Sequence, residues 1–277
     1  MKRVRLMLQN AARYPGSFLV RLLCGAAALI VAGALALIIG YILITGIPNL
    51  KPSLFALEYN SENVSLLPAL FNTVIMTLLS LLLAVPLGVG GAIYLAEYAN
   101  RSSRIVKAVR LTAETLAGIP SILYGLFGMM FFVTSLRWSY SLLAGGMTLA
   151  VMILPLILRT TEEALLSVPD SYREGSFGLG AGRLRTVTHI VLPPAMSGIL
   201  AGVILAIGRV VGETAALIYT AGTVADWPKG VMSSGRTLAV HMYVLSGEGL
   251  HVSEASATAV VLLVIVVGMN ALSAFAA

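Results

Sequence analysis

The chain has 277 residues, 58% of them hydrophobic and 11% charged, where an ordinary soluble domain carries about 25% charged residues. That balance excludes a soluble globule and places the chain in the membrane class. The single cysteine, Cys24, excludes an internal disulfide. No Cys/His cluster has metal-site spacing, and the net charge of +6 is scattered through short segments instead of gathered on a nucleic-acid-binding surface.

In chain order the sequence predicts an all-α polytopic protein with six spans. Residues 1–21 hold Lys2, Arg3, Arg5, Arg13 and Arg21 and read as a cytoplasmic N-terminal segment. No charge lies between Arg21 and Lys51, and a span needs about 20 apolar residues, so 22–46 is the first. Its apolar run is too long for a signal peptide, and Ala34-Leu35-Ala36 falls in mid-run, which predicts an uncleaved anchor. A periplasmic loop, 47–65, follows. The core, 66–277, holds the other five spans, with uncharged stretches 63–96, 115–136, 138–158 and 255–277 giving spans two, three, four and six. Pro86, Pro120 and Pro155 and glycines such as Gly88, Gly125 and Gly145 fall inside these runs, where neighbouring helices satisfy what a kink frees. The apolar piece 237–245, with His241, is too short to span and predicts a re-entrant or interfacial element.

Span five begins after His189 and is interrupted by Arg209 and Glu213. A charge at the membrane centre costs about 2.5–3.5 kcal/mol, so the pair is a candidate site. At i,i+4 the two share a helix face and can pair, and Arg209 lies ~18 Å past Ser197 at 1.5 Å per residue. Thirteen Lys and Arg fall on the side holding both termini and residues 101–110 and 159–185, against four on the other. That bias predicts cytoplasmic termini and external loops around Glu58 and Trp227.

The connection 159–195 is long for a turn. Asp170 after Pro169 should start a short helix, Gly180 and Gly182 should end it, and Arg183 to Val191 should form a second periodic segment leading to Pro193-Pro194. Here the residues resemble a family. Binding-protein-dependent ABC importer permeases carry Glu-Ala-Ala, three residues, Gly, nine residues, Ile, one residue, Leu-Pro, and this chain has Glu174, Gly180, Ile190, Leu192 and Pro193 in that register. Gly175 and Ser176 replace the alanines and keep small side chains. The resemblance implies the type I ABC importer permease fold and a loop that couples to a separate ATPase.

The chain itself has no Walker sequence, because its four lysines are followed by Arg, Pro, Ala and Gly. It also has no recognisable catalytic arrangement, so a non-enzymatic subunit is expected. ATP and Mg would be used by the partner ATPase and no cofactor bound by this chain.

The stretches AVPLGVGGAIYLAEYA, AGIPSILYGLFG, LPLILRTTEEALLSVPDSYRE, GRVVGETAALIYTAG and GRTLAVHMY resemble the PstA-type permeases of phosphate ABC importers. Many of those have proline where this chain has Ala216. The resemblance implies phosphate passage at Arg209 and Glu213 and a location in the bacterial inner membrane. The implied partners are a PstC-like second permease, two PstB-like ATPases and a PstS-like periplasmic phosphate-binding protein, with membrane lipid around the spans and no nucleic acid. Two alternatives stand beside this reading. One is the same machinery for molybdate, sulfate or phosphonate; the other is an ion-coupled secondary transporter with Arg209 and Glu213 as a proton relay, which the loop motif opposes.

Overall fold

A computed structural model describes residues 15–100 and 102–276; the basic residues Lys2, Arg3, Arg5, Arg13 and Arg101 lie outside them. Helix α1, Pro15–Gly46, leads through two short 3-10 turns to α2, Leu67–Ile93, which ends in a π turn, Tyr94–Tyr98. Next come α3, Arg104–Ala117, and α4, Ser121–Gly128, with a π turn at Met129–Ser135. Helix α5, Leu142–Leu166, crosses the centre. Helix α6, Asp170–Gly178, and α7, Arg183–Thr186, lead through a third π turn, Val187–Val191, into α8, Leu192–Val211. The chain closes with α9, Ala215–Ile218, α10, Leu238–Glu248, and α11, Val252–Ala276.

Five stretches are long and apolar enough to cross a membrane, and the bent pair α3–α4 makes a sixth. In place of the single stretch 115–136 expected for span three, that pair starts earlier and bends. Thr115 to Ala117 belong to α3, and the chain turns by 101° before α4. Pro120 has no N–H and pushes Ile119 out of the helical region. The turn leaves α3 carbonyls open, and the Tyr124 hydroxyl donates to Leu116 O at 2.8 Å.

Helix α5 is the hub. Its side chains Leu149, Met152, Ile153 and Ile157 are buried with Met76 and Ala84 of α2, Ala206 and Val210 of α8 and Leu217 of α9. In lipid, apolar surface gains little from leaving its solvent, so association rests on close packing. Glycine supplies the closeness: a Cβ on Gly88 would lie 2.8 Å from Ile157 Cγ2, and one on Gly125 would lie 2.7 Å from Ala216 Cα. Helix α1 stands apart, its apolar face almost wholly exposed to the surroundings. Gly46 at its end seats it against Ser256 and Val260 of α11.

The segments 47–66 and 222–237 meet at one end of the bundle. Trp227 Nε1 donates to Leu57 O at 2.6 Å, and Arg236 Nη2 to the Tyr59 hydroxyl at 3.0 Å. Leu238 N donates to Thr73 Oγ1 at 2.8 Å, which fixes the start of α10 against α2. His241 on α10 is fully buried, and burial with the nearby Arg236 charge holds its imidazole down to about 3. The Val64 backbone approaches that ring without hydrogen-bond geometry.

Candidate functional site

Two groups of residues carry the chemistry. The first lies where span five breaks. Helix α8 stops at Val211, Gly212 closes it, and Thr214 takes φ −124°, ψ −55° before α9 restarts at Ala215. Arg209 sits in the last turn of α8, where helix carbonyls favour a cation. Glu213 lies past the break, buried, and its Oε1 accepts from Ala216 N at 3.1 Å, capping the first turn of α9. The expected i,i+4 pair is therefore not formed. The break turns the two side chains onto different elements, and the carboxylate is taken by a backbone donor.

Among the described residues Arg209 makes no ion pair and stays partly exposed. Tyr124 of α4, which sequence reasoning did not single out, is buried beside the contact of Gly125 with Ala216. The signal was present: Tyr124 lies in AGIPSILYGLFG, the stretch that brings Gly125 against Ala216. Glycine lets α4 approach the α9 backbone, and that approach sets Tyr124 near the break. A free guanidinium offers planar paired donors that match oxyanion geometry.

The second group is the connection between α5 and α8. Helix α6 starts at Asp170, whose carboxylate sits in the first turn where the dipole favours an acid. It ends in a Schellman turn: Gly180 N donates to Phe177 O at 2.9 Å and Ala181 N to Ser176 O at 3.1 Å, with Gly180 at φ +81°. Glu174 and Gly175 are exposed on α6. Ser176 is not, and its hydroxyl lies 2.8 Å from Thr186 Oγ1. Of the two small positions, only Gly175 lies open to a partner; Ser176 clamps α6 to α7.

Ile190 lines a groove of about 580 Å³ together with Tyr172, Gly175, Leu179, Gly180 and Arg185. Leu192 is half-buried and Pro193 exposed. The second segment leads to Pro193-Pro194, as expected, and runs on through them into α8. Proline rings clash with carbonyls four residues back, and the π turn Val187–Val191 shifts the register so that both prolines enter as the first turn of α8. Tyr172, Phe177, Leu179 and Leu184 expose apolar surface beside the groove, Leu179 at 91%. A clustered apolar patch at the polar end of a membrane bundle marks a protein contact.

Sequence reasoning also missed the ion pairs that hold this end. Arg110 Nη2 reaches Glu162 Oε1 at 2.6 Å, fixing α3 to α5. Arg173 Nη2 reaches Glu97 Oε1 at 2.6 Å, fixing α6 to the end of α2, and that contact holds the Arg173 guanidinium above its ordinary value. Glu97, Glu162 and Arg173 sit in quoted stretches and Arg110 does not, and no local periodicity links residues this far apart.

A six-span bundle with a broken fifth span and an exposed helix–turn–helix defines a membrane permease subunit. The family described as binding-protein-dependent transport system inner membrane component matches residues 88–277, and the chain belongs to it. Among its relatives, a probable ABC transporter permease protein, YqgI of Bacillus subtilis, is 34% identical over 241 residues, 82% of each chain. The phosphate transport system permease proteins PstA of Pasteurella multocida and PstA 1 of Mycobacterium tuberculosis are each 40% identical. Those matches cover 64% and 56% of this chain, and the chain spans 63% and 50% of their lengths. In fold it is similar to a permease chain of a bacterial alginate ABC importer, with a TM-score of 0.65, 18% identity, and coverage of 97% and 98% of the two chains.

Proposed function

We propose that this chain is one of two permease subunits of a phosphate importer in a bacterial inner membrane. A PstC-like permease forms the other half of the pathway, one of two PstB-like ATPases docks on α6, and a PstS-like periplasmic protein delivers phosphate to the opposite end. The ATPases bind and hydrolyse ATP with Mg; this chain holds no phosphate-binding Walker sequence. The positive-inside bias puts the α6 end in the cytoplasm and the Trp227 end outside.

Arg209 carries the cargo assignment. A cation in the last turn of α8, with no ion pair among the described residues, is suited to pass an oxyanion from donor to donor. Support for phosphate over other oxyanions comes from the PstA relatives. The complex reconstituted in vesicles should hydrolyse ATP faster when its binding protein carries phosphate. Arg209→Gln removes charge-assisted hydrogen bonds worth ~1.5–3 kcal/mol each, so uptake should fall about a hundredfold while the complex stays assembled. Stimulation by sulfate or molybdate and not by phosphate overturns the cargo; unaltered uptake in Arg209→Gln overturns the role of the arginine.

A further inference from the structure

Helix α6 is nine residues long, too short to be stable alone, so what it is bolted to decides where a push on it goes. On one side the Ser176–Thr186 hydroxyl contact and the Gly180 turn join it to α7 and so to α8. On the other side the covalent link to α5 is only Ser167, Val168 and Pro169. A link that short and irregular would absorb motion unless braced.

Arg173 supplies the brace. Its Nη2 donates to Glu97 Oε1 at 2.6 Å and to Leu165 O at 2.9 Å, and its Nε lies 3.2 Å from both Glu97 oxygens. Its Nη1 donates to Val168 O at 2.7 Å and to Asp170 Oδ1 at 3.1 Å. Leu165 O lies in the last turn of α5, where carbonyls lack helical partners, and Val168 O lies in the link itself. One planar guanidinium thus ties the first turn of α6 to the end of α2 and the end of α5. The Arg173 and Glu97 side chains are only 11% and 7% exposed, so water competes little for the contact. Arg183 of α7 adds a cation over the ring of the adjoining Tyr98 at 5.8 Å.

We propose that Arg173 and Glu97 are positioning residues that make α6 and the cytoplasmic ends of α2 and α5 one moving unit, so that ATPase closure against α6 is delivered to the spans. The proposal rests on reading α6 as the ATPase-facing helix. A lysine at 173 keeps the charge but lacks the fork that holds three elements; a glutamine at 97 keeps an acceptor and the shape but loses the charge.

The test uses the whole importer in vesicles, with its binding protein, phosphate and ATP. In Glu97→Gln and Arg173→Lys the ATPase should still co-purify and basal hydrolysis persist. Phosphate carried per ATP should drop about tenfold, within the range by which residues on a coupling route change coupling. Spin labels on Tyr94→Cys and Ser171→Cys, in a Cys24→Ser background, should keep one distance with and without ATP in the parent and lose that constancy in Glu97→Gln. Undiminished transport per ATP in both variants overturns the proposal, as does a parent distance that shifts on ATP binding. Loss of the ATPase from the variants also overturns it, since the pair would then serve docking. If phosphate fails to stimulate hydrolysis even in the parent, the cargo assignment fails and the label distances still decide the brace.

Discussion

Glu213 separates two roles that one side chain carries. Its carboxylate caps α9 through Ala216 N, and its charge lies in the same break as Arg209. Glutamine at 213 retains an acceptor for the cap, whereas alanine does not; loss of a side-chain cap costs ~0.5–2 kcal/mol. Glu213→Gln should therefore melt with the parent in detergent, while Glu213→Ala should melt lower. A carboxylate beside the pathway repels a dianion unless it accepts a hydrogen bond from a phosphate hydroxyl, which sulfate lacks at neutral pH. Glu213→Gln should then narrow the preference for phosphate over sulfate in competition uptake. Unchanged preference and rate would leave Glu213 as a cap alone. At this scale the sequence made both charges legible, because ionisable residues stand out in an apolar run. Their separation was not legible, because the break at Gly212 lies inside an apolar run and the Gly125–Ala216 packing beside it joins distant segments.

The helix–turn–helix shows which element signals are local and which are not. Asp170 opens α6 as an acid in its first turn, without a side-chain cap bond, and Gly180 ends it in a left-handed turn, whereas the π turn ahead of Pro193 and the 101° bend ahead of α4 were hidden. Hydropathy runs unbroken through Thr115 to Leu136, so only Gly118 and Pro120 hinted at the bend, and a proline alone does not set an angle. Gly180 offers the sharper test. With φ at +81° and open space around its Cα, a side chain there meets backbone strain and no clash. Gly180→Ala should cost ~1–2 kcal/mol in the left-handed region. A loss of 1.4 kcal/mol in holding the docking shape corresponds to about a tenfold weaker hold on the ATPase. Pull-down from solubilised membranes measures this, with Gly178→Ala, on the same helix with open space and an ordinary φ, as the control. Equal retention in the two variants would show that the turn is not the docking shape.

For the whole molecule, the number of spans followed from apolar length, and the orientation follows from charge distribution, which the bundle's own packing leaves unset. Among the described residues four clusters hold the bundle: the α5 hub, the Leu54, Leu66 and Leu238 group at one end, and at the other the Leu165, Val191 and Ile199 group and the Leu95, Val106 and Leu158 group. The two ends differ in kind. At one, Tyr172, Phe177 and Leu179 project freely from α6; at the other, segment 222–237 is tied down by Trp227 and Arg236. In the proposed orientation the α6 end faces the cytoplasm, and the single cysteine of the sequence, Cys24, is exposed on α1 and can be removed without disturbing the core. In a Cys24→Ser background, Leu179→Cys and Val231→Cys are both exposed reporters at opposite ends. In intact cells whose outer membrane is permeable, a charged maleimide that cannot cross the inner membrane should label Val231→Cys at once and Leu179→Cys only after the inner membrane is opened. The reverse order would turn the molecule over. The ATPase could then not reach α6, and the coupling assigned to Glu174 through Pro193 would have to be abandoned together with the direction of transport.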